Sequence, residues 1–445
     1  MDSIAKTTIF SKRKCDIDFS GGNLSSDTGI VVFSEFMKRF GVFDYLEELF
    51  DGDVSPLVSH TPSSIIAQKI LQLVAGYNAD DHADYLAKDT AFHNALDKGR
   101  LASQPTISRF FNSANAVTEA NLEFVLKFLR QQAYTVNPRS KVVFDLDSTI
   151  LPTHGTQEGG EWIHHYQASG YHPLVCYDGE TGDMLNVELR NGSQYCGKDA
   201  ALFLKPLLDE FKTKYPKTSV TVRGDSGFAM PDIYDLVEDE RYGGFHYVIR
   251  LKDNSVLGNK AEQAISSIIE LHNQHPNDKH VMYGEFTYQA GTWNKERRVV
   301  YKLEHKPGEM FPQAMYIVTN TDLSPEEVIS FYCKRGNMEN FIKECKNSFG
   351  FECMRSHSME VNSIRLLVSA IAYAIFNLFR RLTIPPTWQK FRANEIRLRL
   401  IKIASKIVDH ARGNRLRLCS YYPYKAEFID IHNRIAVLGT ALMAA

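Results

Sequence analysis

The chain has 445 residues, 44% of them hydrophobic and 11% aromatic, and a formal net charge of −2. That length buries a large core and suggests about two to four domains, which excludes a disordered polymer or a small stapled module. The near-neutral total does not by itself announce a polyanion partner, so the distribution of charge matters more than its sum.

The start, MDSIAKTTIFSKRKC, lacks the apolar core of a signal peptide, and no apolar run reads as long enough to cross a bilayer. Residues from about 29 to 135 read as helices: IVVFSEFMKRFG, the run from Pro62 to Gly76, and NLEFVLKFLRQQAY. Within them LASQPTISRFFN has a helix start, with Ser103 as cap and Pro105 in the first turn. Ser108 and Arg109 on this short helix fit either a recognition helix of helix-turn-helix type or an ordinary bundle helix.

After Pro138 the texture changes. Lys141 to Thr149, KVVFDLDST, is a buried strand ending in acids, and Tyr171–Tyr177 and Met184–Leu189 are two strands joined by DGETGD, a hairpin signal. A helix from Asp199 to about Tyr215, a strand SVTVRGDSG, a short helix after Pro231 and a strand HYVIRL follow. This order is that of an RNase H-like α/β core. Lys252 to Asn320 reads mostly as strands, a β-rich insertion. A helix then begins with Ser324 as cap, Pro325 in the first turn and Glu327 completing a capping box, and Gly350 is a plausible stop. A further helix from about Val361 to Arg381 leads into a basic stretch. From Arg380 to Arg417 eleven basic residues face two acids, which fits a helix that tracks phosphates or a solvated amphipathic helix. Seven cysteines form no CxxC pair and suit reduced cytosolic thiols better than zinc or disulfides.

The residues that carry chemistry lie in two places. Asp145 and Asp147 alternate at the end of the first strand, and Asp225 ends the fourth; in the proposed core these strands are neighbours. Downstream, Tyr332, Arg335, Glu339 and Lys346 fall within an arc of roughly 60° if the segment is one helix. Converging carboxylates need a compensating charge, and Mg²⁺ or Mn²⁺ is the usual one. Two such ions suit phosphodiester chemistry, with Glu339 as the third acid. FDLDSTIL also resembles the first motif of haloacid-dehalogenase-like phosphatases, and GDSGFAMPD resembles their acidic metal motif. Against that alternative, about 140 residues, mostly helical, precede the motif and a hairpin region follows it.

Taken together, these motifs resemble the DDE transposases of bacterial insertion sequences that carry a Y-R-E-K signature. Tyr332, Arg335, Glu339 and Lys346 match its spacing, Asp147 with Ser148 and Thr149 resembles its first acid, and Asp225 in RGDSGF resembles its second. DLDST, GYHPL and RGDSGF look most like the insertion-sequence family numbered thirteen-eighty. The resemblance implies a helical N-terminal DNA-binding region (1–138), a catalytic domain (139–350, insertion about 252–320) and a helical basic C-terminal region (351–445). It further implies Mg²⁺-dependent cut-and-paste transposition with DNA as partner, a homodimer in a synaptic complex, and a cytoplasmic, nucleoid-associated site of action in bacteria. A hairpin at the element end belongs to the same implied chemistry. Asp147, Asp225 and Glu339 then hold metal, and Tyr332, Arg335 and Lys346 grip phosphates near the cleaved end. Trp293, among Lys295, Arg297 and Arg298, is a candidate platform for a flipped base or a packed tryptophan. A nuclease of the same fold and a DNA-binding protein without catalysis are the remaining alternatives.

Overall fold

A computed structural model describes all residues except 1–6, 10–14, 53, 56, 412, 444 and 445. Most of the N-terminal stretch tested for a signal peptide, and Arg412 of the basic stretch, therefore lie outside the described residues. The chain forms two compact units: Met1–Asn121 with Ser348–Gly350 and Leu378–Ala445, and Leu122–Asn347 with Phe351–Asn377. Where the sequence reads as three successive regions, the first unit is discontinuous and draws on both ends of the chain.

The second unit is built on an eight-stranded mixed sheet of β1 (Lys141–Ser148), β2 (Leu174–Asp178), β3 (Met184–Glu188), β4 (Ser219–Gly224), β5 (His246–Leu251), β6 (His280–Tyr288), β7 (Arg297–His305) and β8 (Gln313–Thr319), in the order β6-β7-β8-β5-β4-β1-β2-β3. Strands β1, β4 and β5 run parallel, and β2 runs antiparallel to β1. A strand covered on both faces carries a near-continuous apolar run, and β1 and β2 do so. Strand β6 lies at the sheet edge and alternates between partly covered and exposed residues. Val142, Phe144 and Leu146 of β1 face a core shared with Leu204, Leu207, Leu208 and Phe211 of helix α1 (Ala200–Lys214). The strand's period of two then turns Asp145 and Asp147 to the opposite face.

That opposite face is covered in part by α3 (Pro325–Cys333), which follows the short helix α2 (Pro231–Val237) in this numbering. Val328, Ile329 and Tyr332 of α3 pack on Val248, Val300 and Ile317. The expected capping box of Ser324 and Glu327 is present. The expected single helix is not: α3 ends at Cys333, and α4 (Gly336–Phe349) begins after Lys334 and Arg335. The turn between them is closed by bonds spanning three residues, from the Arg335, Asn337 and Met338 amides back to Tyr332, Lys334 and Arg335. Gly336 and Asn337 are weak helix formers, which makes this the cheap place to interrupt the helix.

The insertion also differs from expectation. Residues 252–320 open with two helices, Ser255–Lys260 and Glu262–Gln274, and their three strands extend the central sheet through β8 on β5. Helix α5 (Met359–Thr383) is long and apolar enough to cross a bilayer, contrary to the reading of the sequence, and its most apolar stretch is 94% buried inside the protein.

In the first unit, helices Ile30–Arg39, Val42–Phe50, Pro62–Ala75, Thr90–Leu96 and Gln104–Ser113 match the helical reading. Thr61 caps the third of these, accepting from the Ser64 amide, and Gly76 ends it in the left-handed conformation with φ 91°. The basic stretch is not one helix. It contains a short helix (Ala393–Ile396), a π-helical turn (Arg397–Ile401) and a hairpin of β9 (Ser405–His410) and β10 (Gly413–Leu418), and β9 also pairs with Leu24–Ser25.

Candidate active site

The first two acids stand at the ends of parallel neighbours, β1 and β4. Each carboxylate is oriented by its own chain. The Ser148 amide donates to Asp147 Oδ1 at 2.9 Å, and Asp225 caps a short turn by accepting at Oδ1 from the Gly227 amide at 2.8 Å. This leaves Oδ2 of each acid free, and both face Arg335: Nη2 lies 3.0 Å from Asp147 Oδ2 and 3.6 Å from Asp225 Oδ2. Nε and Nη2 of Arg335 are nonetheless buried without a hydrogen-bond partner among the described residues, so the contact is charge to charge rather than a directed bond. Burial raises the Asp147 carboxyl to about 6; the Arg335 guanidinium opposes this and the Asp225 charge adds to it.

Asp145, two residues back on the same face, is fully buried and bound differently. Arg223 Nε and Nη2 donate to its two oxygens at 2.5 and 2.6 Å. The third arm, Nη1, donates to the Phe331 carbonyl at 2.5 Å. That carbonyl lies in the last turn of α3, where carbonyls lack helical partners. Arg223 therefore ties β1, β4 and α3 together. Gly179 makes this possible, because a Cβ there would overlap both Asp145 and Arg223. The two acids that alternate at the end of β1 are thus separated: Asp145 is committed to packing and Asp147 faces the shared cation. The same burial bears on the phosphatase alternative, which requires an open carboxyl at Asp145.

Glu339 lies in the first turn of α4, one helical turn after Arg335. Its side chain is 65% exposed and approaches Lys343 at 3.9 Å. Among the described residues no three acidic, histidine or cysteine side chains are gathered closely enough to hold a metal ion. The geometry brings Asp147 and Asp225 together and leaves Glu339 apart. For two of the three acids expected to hold metal, Asp147 and Asp225, the donor chemistry suits a hard cation, since one oxygen of each already converges on one positive group.

The remaining expected contacts are engaged internally. Tyr332 is 7% exposed, and its phenol meets Arg250. Lys346 donates to the Ile150 carbonyl at 2.5 Å and lies 3.7 Å from Glu352, while burial lowers its ammonium pKa. Trp293 is 6% exposed, edge-on to Tyr234 and Tyr288 with the Arg297 guanidinium over its ring. The position is therefore a packed core, with no open face for a base. Arg109 is exposed and folds back onto the Pro105 carbonyl and the Thr106 hydroxyl.

Sequence reasoning missed Arg223 and Tyr166. Arg223 could have been found, because it lies two residues before Asp225 and so shares the face of a strand end with acids. Tyr166 carries no such signal. Its hydroxyl is 3.5 Å from the Ser148 carbonyl, and burial, then Asp147 and Asp225, push its phenol up to about 12.

Among solved structures, the fold is similar to that in a cryo-EM structure of the piggyBac transposase synaptic complex with hairpin DNA, at 10% identity and a TM-score of 0.41, covering 94% of this chain and 81% of that one. No curated protein matches the sequence. The family described as Transposase DDE domain group 1 matches residues 7–440. DDE transposases use divalent metal ions and act on DNA. The chain belongs to this family: it is a DDE transposase, a DNA-cleaving enzyme.

Proposed function

We propose that this transposase moves an insertion sequence by cut-and-paste chemistry, with Asp147, Asp225 and Glu339 as the metal-holding acids of an RNase H-like core. The observation that carries this reading is the pair of free carboxylate oxygens, Asp147 Oδ2 and Asp225 Oδ2, converging on one Arg335 nitrogen. The strand order β3-β2-β1-β4-β5, with β1, β4 and β5 parallel and β2 antiparallel to both its neighbours β1 and β3, supports the RNase H-like assignment. Bound Mg²⁺ or Mn²⁺ would lower the pKa of an attacking water or hydroxyl and stabilise the leaving oxygen of the phosphodiester. The backbone bonds from Ser148 and Gly227 fix the two acids before any ligand arrives, so little reorganisation is left for the reaction. Glu339 completes the set by turning from Lys343 toward the acids, from a helix turn that begins directly after Arg335.

Arg335 then has two partners in sequence. In the free chain it neutralises Asp147 and Asp225; with a divalent cation held by those acids, its guanidinium would be available to a DNA phosphate. Lys346 holds the segment after β1 through Ile150, and Tyr332 anchors the end of α3, so both position the site beside the DNA end. Two element ends each need such a site, which favours a homodimer in a synaptic complex. Strand transfer into target DNA, and a hairpin at the element end, are parts of the same reading.

The test is Mg²⁺-dependent cleavage of end DNA by the wild type and by Asp147→Ala, Asp225→Ala and Glu339→Ala. Losses of about 10²–10³-fold or more are expected for each, with DNA binding retained. Full cleavage by any of the three removes that residue from the metal set.

A further inference from the structure

The basic stretch sorts into two populations once it is folded. Arg397 is buried and donates to the Leu73, Val74 and Ser348 carbonyls, Lys402 pairs with Asp27, and Arg399 pairs with Glu395 over the rings of Phe391 and Tyr424. These cations hold the unit together. Lys406, Arg415 and Arg417 do not: all three are exposed, and among the described residues none has an ion-pair or hydrogen-bond partner.

The hairpin register places these three on one face. Lys406 is directly opposite Arg417, and Arg415 is opposite Val408. The other face turns Ser405 and Ile407 into the unit, at 3% and 6% exposure. Asp409 belongs to that other face as well, opposite Asn414, so the basic face has no acid within the hairpin. Like charges directly opposite on a sheet are destabilising, so the Lys406–Arg417 pair calls for an anion from outside. Charges on an edge strand also deter unwanted strand pairing, which accounts for Arg415 and Arg417 on β10. It does not account for Lys406, which lies on β9 with strands on both sides.

We propose that the basic face of the β9–β10 hairpin is a contact for the phosphate backbone of duplex DNA, independent of sequence. Residues two apart on a strand are about 6.8 Å apart, close to the through-space separation of neighbouring phosphates along one DNA strand. Arg415 and Arg417 therefore match adjacent phosphates, and Lys406 widens the patch across the ribbon. Because the whole chain is near neutral, such a patch must supply locally the counterion release that a basic protein supplies everywhere.

The test uses the full chain in EDTA, so that cleavage plays no part and failure of the metal-site reading leaves the result unaffected. Binding of a labelled random-sequence duplex is followed by anisotropy from about 50 to about 200 mM salt. The triple variant Lys406→Gln, Arg415→Gln, Arg417→Gln should bind more weakly, with a slope of log affinity against log salt shallower by about 2–3. The swap Lys406→Arg, Arg415→Lys, Arg417→Lys should keep the wild-type slope. Arg417→Gln alone, which relieves the like-charge pair and cannot weaken the fold through it, should lower the slope by about 0.9. An unchanged slope in the folded triple variant and in Arg417→Gln overturns the proposal, whatever the affinity does. So does binding to phosphatidylserine vesicles that needs the three cations when duplex binding does not.

Discussion

Asp145 and Asp147 are two residues apart on one strand and face the same way, yet they are bound in opposite manners. Around Asp145 every arm of Arg223 is engaged, two on the carboxylate and one on the Phe331 carbonyl. Around Asp147 one guanidinium is divided between two acids, and two of its nitrogens lack directed partners among the described residues. A saturated pair has nothing to gain from a new ligand. A cation held only by charge can be exchanged for another, and the side chain then freed can meet a phosphate. The contrast separates the acid that builds the sheet from the acids proposed to hold metal.

The largest expected effect tests the saturated side. Asp145→Ala leaves Arg223 charged, buried and without its partner, and should cost about 3–5 kcal/mol in urea unfolding. A loss below about 1 kcal/mol would mean that Arg223 is not committed to Asp145, and the contrast would collapse.

A second buried pair on the same sheet calibrates the first. Burial pushes Asp178 up to about 6 even though Arg139 pulls it down. A folded pKa above the ordinary 3.8 means that the fold holds the proton more tightly than the unfolded chain does. Stability should therefore fall as pH rises from about 4 to about 6 and stay at the lower level above that, by up to about 3 kcal/mol. Asp178→Asn should remove this slope from the pH dependence of unfolding. An unchanged profile in the variant would assign the slope to other groups.

The exchangeable side predicts a smaller change of a different kind. Arg335→Gln leaves Asp147 and Asp225 facing each other, and should destabilise the metal-free protein by about 1–2 kcal/mol. Added Mg²⁺ binds the folded chain only and should raise the melting temperature of the variant more than that of the wild type. Equal rises in both would show that Arg335 does not compete for the acids.

How much of this was legible in the sequence differs by element. The strand ends carrying Asp147 and Asp225 were readable, because a buried β-branched run that stops at an acid is a local pattern. The capping box of Ser324 and Glu327 was readable for the same reason. The break at Lys334–Arg335 was not, since spacing by itself cannot tell a continuous helix from two that share a turn. What interrupts this one is tertiary: Arg223 takes the Phe331 carbonyl, and Arg335 is held at the acids. The basic stretch shows the same limit. Its charge was visible, but which cations turn inward depended on carbonyls at Leu73, Val74 and Ser348, far away in sequence.

Glu339 provides the finest division between stability and function. At 65% exposure, with a partner only at the far limit of an ion pair, it contributes almost nothing to the fold. Glu339→Gln should change unfolding by less than about 0.5 kcal/mol, the scale of an exposed pair one helical turn apart. If Glu339 turns inward when metal and DNA are present, the same substitution should abolish cleavage and reduce the Mg²⁺-induced rise in melting temperature. Should cleavage and metal response both survive, the third ligand must be sought elsewhere near Asp147 and Asp225, while the contrast between the two arginines would still stand, because it rests on contacts that Glu339 does not touch.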